Sequence, residues 1–147
     1  AQASDIRFQE IDAGQLRQIA RAGKKTWVYL WGSWCTPCRK KLPLIAQLQR
    51  DNPDWHIVLV ADDYNIAALQ QLLFEQQIFV QSYILDYRVY GNNIHEKYRK
   101  LWEGIAPGFP FADGMPQNYI FNPDGTVHFY GAGSLPQDSM KAYFVIR

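Results

Sequence analysis

The sequence predicts an α/β domain built on a central mixed β-sheet flanked by helices. Two bulky or β-branched runs, Thr26–Trp31 and His56–Ala61, are separated by a segment whose apolar residues recur at helical spacing. Strand, helix and strand in that order imply a right-handed crossover between parallel strands. Further on, Tyr119–Phe121 and Thr126–Tyr130 flank Asn122-Pro123-Asp124-Gly125, a hairpin signature that adds an antiparallel pair. The length of 147 residues suits one domain with a core of its own. No internal repeat, low-complexity tract or Gly/Ser linker divides it, so a single domain is expected over 1–147.

In chain order, a short extended piece around Ile6–Phe8 precedes a helix that Asp12 and Gln15 open as a capping box. Leu16, Ile19 and Ala20 form its apolar stripe and Gly23 stops it. Nearly every position of Thr26–Trp31 is bulky, as in a strand covered on both faces. The helix from about Thr36 to Arg50 carries Leu42, Ile45 and Leu48, and Pro43 inside it should bend it by removing one backbone donor. Asp51-Asn52-Pro53-Asp54 is its stop, and Asp62-Asp63 ends the strand His56–Ala61. Asn65 caps a helix over about Ile66–Glu75, followed by a short strand near Ser82–Leu85. Ile94, Tyr98, Leu101 and Trp102 make another helical stripe, and a Gly/Pro/aromatic loop runs from Gly104 to Pro116. After the hairpin, Ser134 with Gln137 caps a last helix through Met140, Tyr143 and Phe144.

Composition removes several function classes. A formal net charge of +1 lacks the positive field on which many nucleic-acid binders rely. Although 48% of the residues are hydrophobic, no window approaches the roughly 18–20 apolar residues that span a bilayer. Two cysteines are too few for a disulfide framework or a four-cysteine zinc site. No signal peptide is visible, because Ala1-Gln2-Ala3-Ser4 is followed at once by Asp5 and Arg7. Ala1-Gln2-Ala3 has the small residues of a cleavage region, as in a mature chain from which an export signal or anchor was removed.

The chemistry resides in Trp34-Cys35-Thr36-Pro37-Cys38, which follows a buried strand and opens a helix. Unpaired backbone N–H groups and the macrodipole at a helix N-terminus stabilise an anion, here the Cys35 thiolate. Two intervening residues put both sulfurs on the first turn, with Cys38 deeper and less accessible. Cys35 is therefore the nucleophile towards a substrate disulfide, and Cys38 resolves the mixed disulfide. Arg39, Lys40 and Lys41 add positive charge on exposed positions. The same pair also suits half of a zinc site or a Cu(I)-binding loop, since soft thiolates favour that ion. His56, His95 and His128 are scattered, however, and complete no zinc tetrahedron.

The stretch WVYLWGSWCTPCRKKLP resembles the active-site segment of thioredoxin-fold proteins. The family's Trp before the first Cys matches Trp34, its kink proline matches Pro43, and its cis-proline matches Pro116 in GMPQNYIFNPDGTV. The resemblance implies that Pro116 faces the Cys35–Cys38 disulfide and that the backbone of Met115 pairs with substrate. Trp34, Thr36 and Pro37 join them as implied substrate contacts. The N-terminal extension, and an insertion before the cis-proline loop, make the chain most similar to the exported TlpA/ResA/DsbE-like branch. That similarity implies a periplasmic or otherwise extracytoplasmic thiol–disulfide oxidoreductase, with any membrane tether outside the present chain. It implies a protein substrate bearing thiols or a disulfide, a second protein as electron donor or acceptor, and no nucleic acid. No metal or organic cofactor is expected, because the redox-active disulfide carries the electrons. Pro37 leans towards a reductase; an oxidase or isomerase of the same fold is the alternative.

Thioredoxins carry a buried Asp six residues before the first Cys, where this chain has Tyr29. Asp62 and Asp63, ending a parallel strand at the same sheet edge as Cys35, are the candidates to replace it in proton transfer. Trp34, with Phe109, Pro110 and Phe111 before the cis-proline loop, would make an apolar groove beside Cys35; Trp31 suits core packing, and the loop aromatics suit packing on their own loop.

Overall fold

A computed structural model describes residues 2–145. The elements are β1 (Gln9–Ile11), α1 (Ala13–Ala20), β2 (Thr26–Trp31), α2 (Thr36–Asp51), β3 (His56–Ala61) and α3 (Ile66–Glu75), then β4 (Gln81–Leu85), α4 (Tyr87–Tyr90), α5 (Ile94–Ile105), β5 (Gln117–Phe121), β6 (Val127–Ala132) and α6 (Gln137–Val145). The strands form one sheet in the order β1-β4-β3-β2-β5-β6. β2 and β3 pair in parallel from Thr26↔His56 to Trp31↔Ala61, whereas β5 runs antiparallel to β2 and to β6. The sheet is therefore mixed, as the crossover and the hairpin required.

All six residues of β2 are buried, and their alternation divides the core in two. Trp27, Tyr29 and Trp31 pack with Leu42, Ile45 and Leu48 of α2, Leu69 and Leu73 of α3, and Met140 of α6. Val28 and Leu30 face Leu16 and Ala20 of α1 and Tyr98, Leu101 and Ile105 of α5. Strands covered on both faces need this near-continuous run of large apolar side chains.

The local signals act as their chemistry dictates. Asp12 accepts from Gln15 N at 2.9 Å while Gln15 Oε1 accepts from Asp12 N at 3.0 Å, closing the capping box. Asn65 Oδ1 accepts from Ala68 N, opening α3. Asp124 Oδ1 accepts from Thr126 N and Oγ1 in the hairpin turn, where Gly125 takes φ +88°.

Several boundaries differ from expectation. The first strand lies at Gln9–Ile11 because the pairing with β4, Gln9↔Tyr83 to Ile11↔Leu85, selects those residues. Ile6 and Phe8 instead pack against the core as partly buried side chains. The buried face of α5 is rotated: Lys97, Tyr98, Leu101 and Ile105 are buried, Ile94 is exposed and Trp102 is half-buried. The four-residue α4, capped by Asp86, had no periodicity to announce it. The last helix begins at Gln137, where Pro136 O accepts from Met140 N, so Ser134 lies upstream of its first turn. The Gln137 side chain, and Ala1 of the expected cleavage region, lie outside the described residues.

Gly104 sits where α1 and α5 approach closely, and a Cβ there would lie 2.7 Å from the Cβ of Ala13. Gly to Ala in a helix ordinarily gains about 1 kcal/mol, but overpacking costs about 1–3 kcal/mol. Gly104→Ala is therefore expected to lower the urea midpoint of unfolding; a raised midpoint would show that the helices separate freely.

Candidate active site

Strand register gathers three segments at one sheet edge. Asp62 N donates to Trp31 O at 2.7 Å, so β2 and β3 end together. β5 runs the other way and begins opposite them, with Gln117 paired to Leu30. The turn carrying Cys35, the Asp62-Asp63 pair and the Met115-Pro116 dipeptide are thus neighbours at this edge. Parallel strands collect ligands and catalytic groups at such carboxyl ends.

Cys35 is the N-cap residue of α2, and its Sγ accepts from Cys38 N at 3.3 Å. Cys35 N donates to Gly32 O at 3.0 Å, closing the turn out of β2. Cys35 and Cys38 are joined as a disulfide with their Cα atoms 5.2 Å apart. Cys35 is 7% exposed and Cys38 0%, so attack from outside reaches Cys35 first. Thr36 and Pro37 are exposed on the first turn, where a proline's missing N–H leaves nothing unpaired.

The peptide bond Met115–Pro116 is cis, and Pro116 is buried. Gln117, also buried, holds the preceding loop by donating from Nε2 to Ala112 O and Gly114 O. Pro116 O accepts from Gly133 N at 2.8 Å. Met115 packs against both halves of the core and shares a groove of about 440 Å³ with Trp34 and Tyr98.

Trp34 is 52% exposed, yet its Nε1 donates to Asp62 O at 2.8 Å, which fixes the ring. A side chain at Gly32 would run into that indole, so the glycine makes room for it. Phe109 and Phe111 do not line this groove. Trp102 Nε1 donates to Phe109 O, and Phe111 lies against Trp102 and under the Arg99 guanidinium at 4.5 Å, so the loop packs on itself. Trp31 is core, 1% exposed.

Tyr29, in place of a carboxylate, donates from its hydroxyl to Cys38 O at 3.0 Å. Burial pushes its pKa far above the ordinary tyrosine value, so it remains a neutral donor that ties β2 to the first turn of α2. Asp62 is buried, with one oxygen 2.8 Å from Lys97 Nζ and the other accepting from Tyr98 OH. Burial disfavours the Lys97 ammonium, but its hydrogen bond to Asp62 and that charge outweigh the penalty and raise its pKa. Asp63 is half-buried and accepts from Ser33 N at 2.8 Å and Ser33 Oγ at 2.6 Å. Burial raises its pKa against the opposing pull of those two hydrogen bonds. Asp62 is therefore committed to an internal ion pair, whereas Asp63 is bonded to the turn that carries Cys35.

Arg39 and Lys40 are exposed as expected, but Lys41 is not. Its Nζ donates to Leu135 O and burial lowers its pKa. Among the described residues, no group of three or more His, Cys, Asp or Glu side chains is placed to hold a metal ion, and no helix is long and apolar enough to cross a membrane. Sequence reasoning passed over Lys97, Ser33 and Gln117. The available signal was a polar residue amid apolar ones: an acid closing a buried strand needs a cation or donors.

Among solved structures, the thioredoxin-family thiol:disulfide interchange protein of Chlorobium tepidum superposes with a TM-score of 0.65 at 16% identity, covering 85% of this chain and 80% of that one. The chain has the thioredoxin fold. A secreted Mycobacterium tuberculosis disulfide oxidoreductase homologous to Escherichia coli DsbE shares the fold at a TM-score of 0.61 and 18% identity, covering 85% and 83% of the two chains. By sequence, the chain is similar to the thiol-disulfide oxidoreductase ResA of Oceanobacillus iheyensis, 23% identical over 92% of this chain and 63% of ResA. It is also similar to the thiol:disulfide interchange protein CycY of Rhizobium leguminosarum, 27% identical over 86% of this chain and 59% of CycY. The chain thus spans only about three-fifths of the length of these relatives. No family model matches it.

Removing the cation from the Asp62–Lys97 pair strands a buried carboxylate. Lys97→Met should cost about 3–5 kcal/mol of unfolding free energy, and Asp62→Asn combined with Lys97→Met should recover much of it. Urea titration of the two variants measures both; equal losses would mean that the ion pair carries no coupling. Asp63 has the opposite linkage from a paired acid. Its folded pKa lies above its unfolded value, so stability is greatest below the unfolded value and falls as pH rises towards the folded one. Asp63→Asn should remove that contribution from the pH dependence of the unfolding midpoint.

Proposed function

We propose that the chain is a protein thiol–disulfide oxidoreductase, working as a reductase in an extracytoplasmic compartment. The observation that carries this reading is the Cys35–Cys38 pair at the start of α2, with Cys35 nearer the surface at 7% exposure and Cys38 fully enclosed. In the reduced protein the Cys35 thiolate attacks a substrate disulfide, bonding to one substrate sulfur and releasing the other as thiolate. The Cys38 thiolate then attacks Cys35 Sγ, closing the internal disulfide and releasing the second substrate thiolate. Two electrons pass to the substrate, and a partner dithiol must return two to the protein. The cysteines carry the electrons, so the reaction needs no metal or organic cofactor.

The remaining roles follow from position. Trp34, Thr36 and Pro37 bound the approach to Cys35, while Met115 offers backbone to an extended segment beside Pro116. Asp63 accepts or returns the proton as the thiols ionise. The fold of the whole chain as a single domain belongs to the same reading, since both halves of the core share one sheet. The compartment is supported by the likeness to a protein described as secreted. Pro37 in the motif supports the direction.

Cys35→Ser should abolish turnover of a protein disulfide, and Cys38→Ala should trap substrate on Cys35 as a mixed disulfide. The Cys35 thiol of the reduced protein should titrate below the ordinary value of about 8.5. Equilibration with glutathione gives the direction: a strongly oxidising potential would overturn the reductase and favour an oxidase.

A further inference from the structure

The surfaces flanking Cys35 differ in chemistry. On one side lies the groove whose apolar wall is Trp34, Ile94, Tyr98 and Met115, with His95 and Asp113 at its rim. Its shape is fixed rather than adaptable. Trp34 is held by Asp62 O, and the Tyr98 hydroxyl is turned away to the Asp62 carboxylate, presenting the ring. Ile94, 41% exposed at the first position of α5, leaves its apolar surface open. A groove with fixed apolar walls takes an apolar side chain at little ordering cost.

On the other side, Thr36, Pro37, Lys40, Lys41 and Ser134 line a second hollow of about 350 Å³. Lys40 is exposed there, Arg39 is exposed in an adjoining hollow that shares Thr36 and Lys40, and among the described residues no carboxylate forms an ion pair with Arg39, Lys40 or Lys41. The N-terminus of α2 adds its positive end to the same side. This surface is complementary to acidic side chains.

We infer that the substrate is an extended polypeptide whose reacting cysteine is flanked by an apolar side chain on one side, seated against Trp34 and Ile94, and by acidic side chains on the other, facing Lys40. The inference rests on the disulfide-exchange reading and names the class of segment which that exchange selects. The covalent step is unchanged: Cys35 thiolate bonds to the substrate cysteine and displaces its former sulfur partner as thiolate.

The test uses the reduced Cys38→Ala protein and short peptides in which one cysteine is activated as a pyridyl disulfide, with release of pyridinethione read by absorbance. Peptides with Leu or Ser on one side of the cysteine and Asp or Lys on the other make up the set. Leu should react about tenfold faster than Ser, the gain expected from partly burying one large apolar side chain. Asp should react about fivefold faster than Lys at low salt, with the difference shrinking as salt is added. Ile94→Gln should erase most of the Leu preference and Lys40→Glu should reverse the Asp preference. Dipyridyl disulfide, which reaches neither subsite, measures the intrinsic reactivity of Cys35 in each variant, and the peptide rates are compared after division by it. If it reacts fast while the peptides do not differ, the substrate inference is overturned and the exchange chemistry stands. Should Cys35 be as slow as a free cysteine even with dipyridyl disulfide, the exchange reading itself fails.

Discussion

The passage from β2 into α2 is the constraint around which the site is arranged. A strand enclosed on both faces has no freedom to slide, because a one-residue slip would exchange its two core faces. Trp31 is therefore placed by packing, and the Gly32–Cys35 turn delivers Cys35 to the cap of the helix. Once there, its sulfur takes the position of a capping acceptor for the Cys38 amide, an interaction that strengthens when the sulfur becomes an anion. The same strand fixes β3 and β5 by register. The acidic pair and the Met115-Pro116 loop thereby arrive beside the cysteines, where Asp63 bonds to Ser33, Asp62 O to Trp34, and Gln117 to the loop.

A buried ion pair is a poor way to gain stability, since desolvation consumes most of its Coulomb attraction. Asp62 and Lys97 instead define where α5 sits. Asp62 is fixed by the end of β3, and its bonds to Lys97 and Tyr98 tie the start of α5 to that sheet edge. The Asp62 backbone carbonyl holds Trp34 at the same time. One residue thus sets both walls of the groove, its carboxylate bonded to Lys97 and Tyr98 and its carbonyl to Trp34.

Tyr29 marks a departure in chemistry as well as in sequence. A buried carboxylate under the second cysteine can shuttle a proton; a neutral phenol hydrogen-bonded to Cys38 O can only position. The nearest acid bonded to the turn that carries Cys35 is instead Asp63, through Ser33.

The sheet, its parallel and antiparallel pairs, and the cysteine motif were legible in the sequence because each is encoded by neighbours in the chain: bulky runs, caps at fixed offsets, a turn tetrad and two residues between sulfurs. The elements that shifted, β1 and the buried face of α5, are those whose placement depends on a distant partner. Gln9–Ile11 is a strand because β4 lies beside it, and Lys97 is inside because Asp62 waits 35 residues away. For the same reason Phe109 and Phe111 looked available for the groove until Trp102 and Arg99 proved to hold them. Local pattern fixes which residues are apolar and where a helix starts. Only the folded chain decides which polar groups meet, because a buried charge is tolerated solely where its counterpart has been brought within hydrogen-bonding distance.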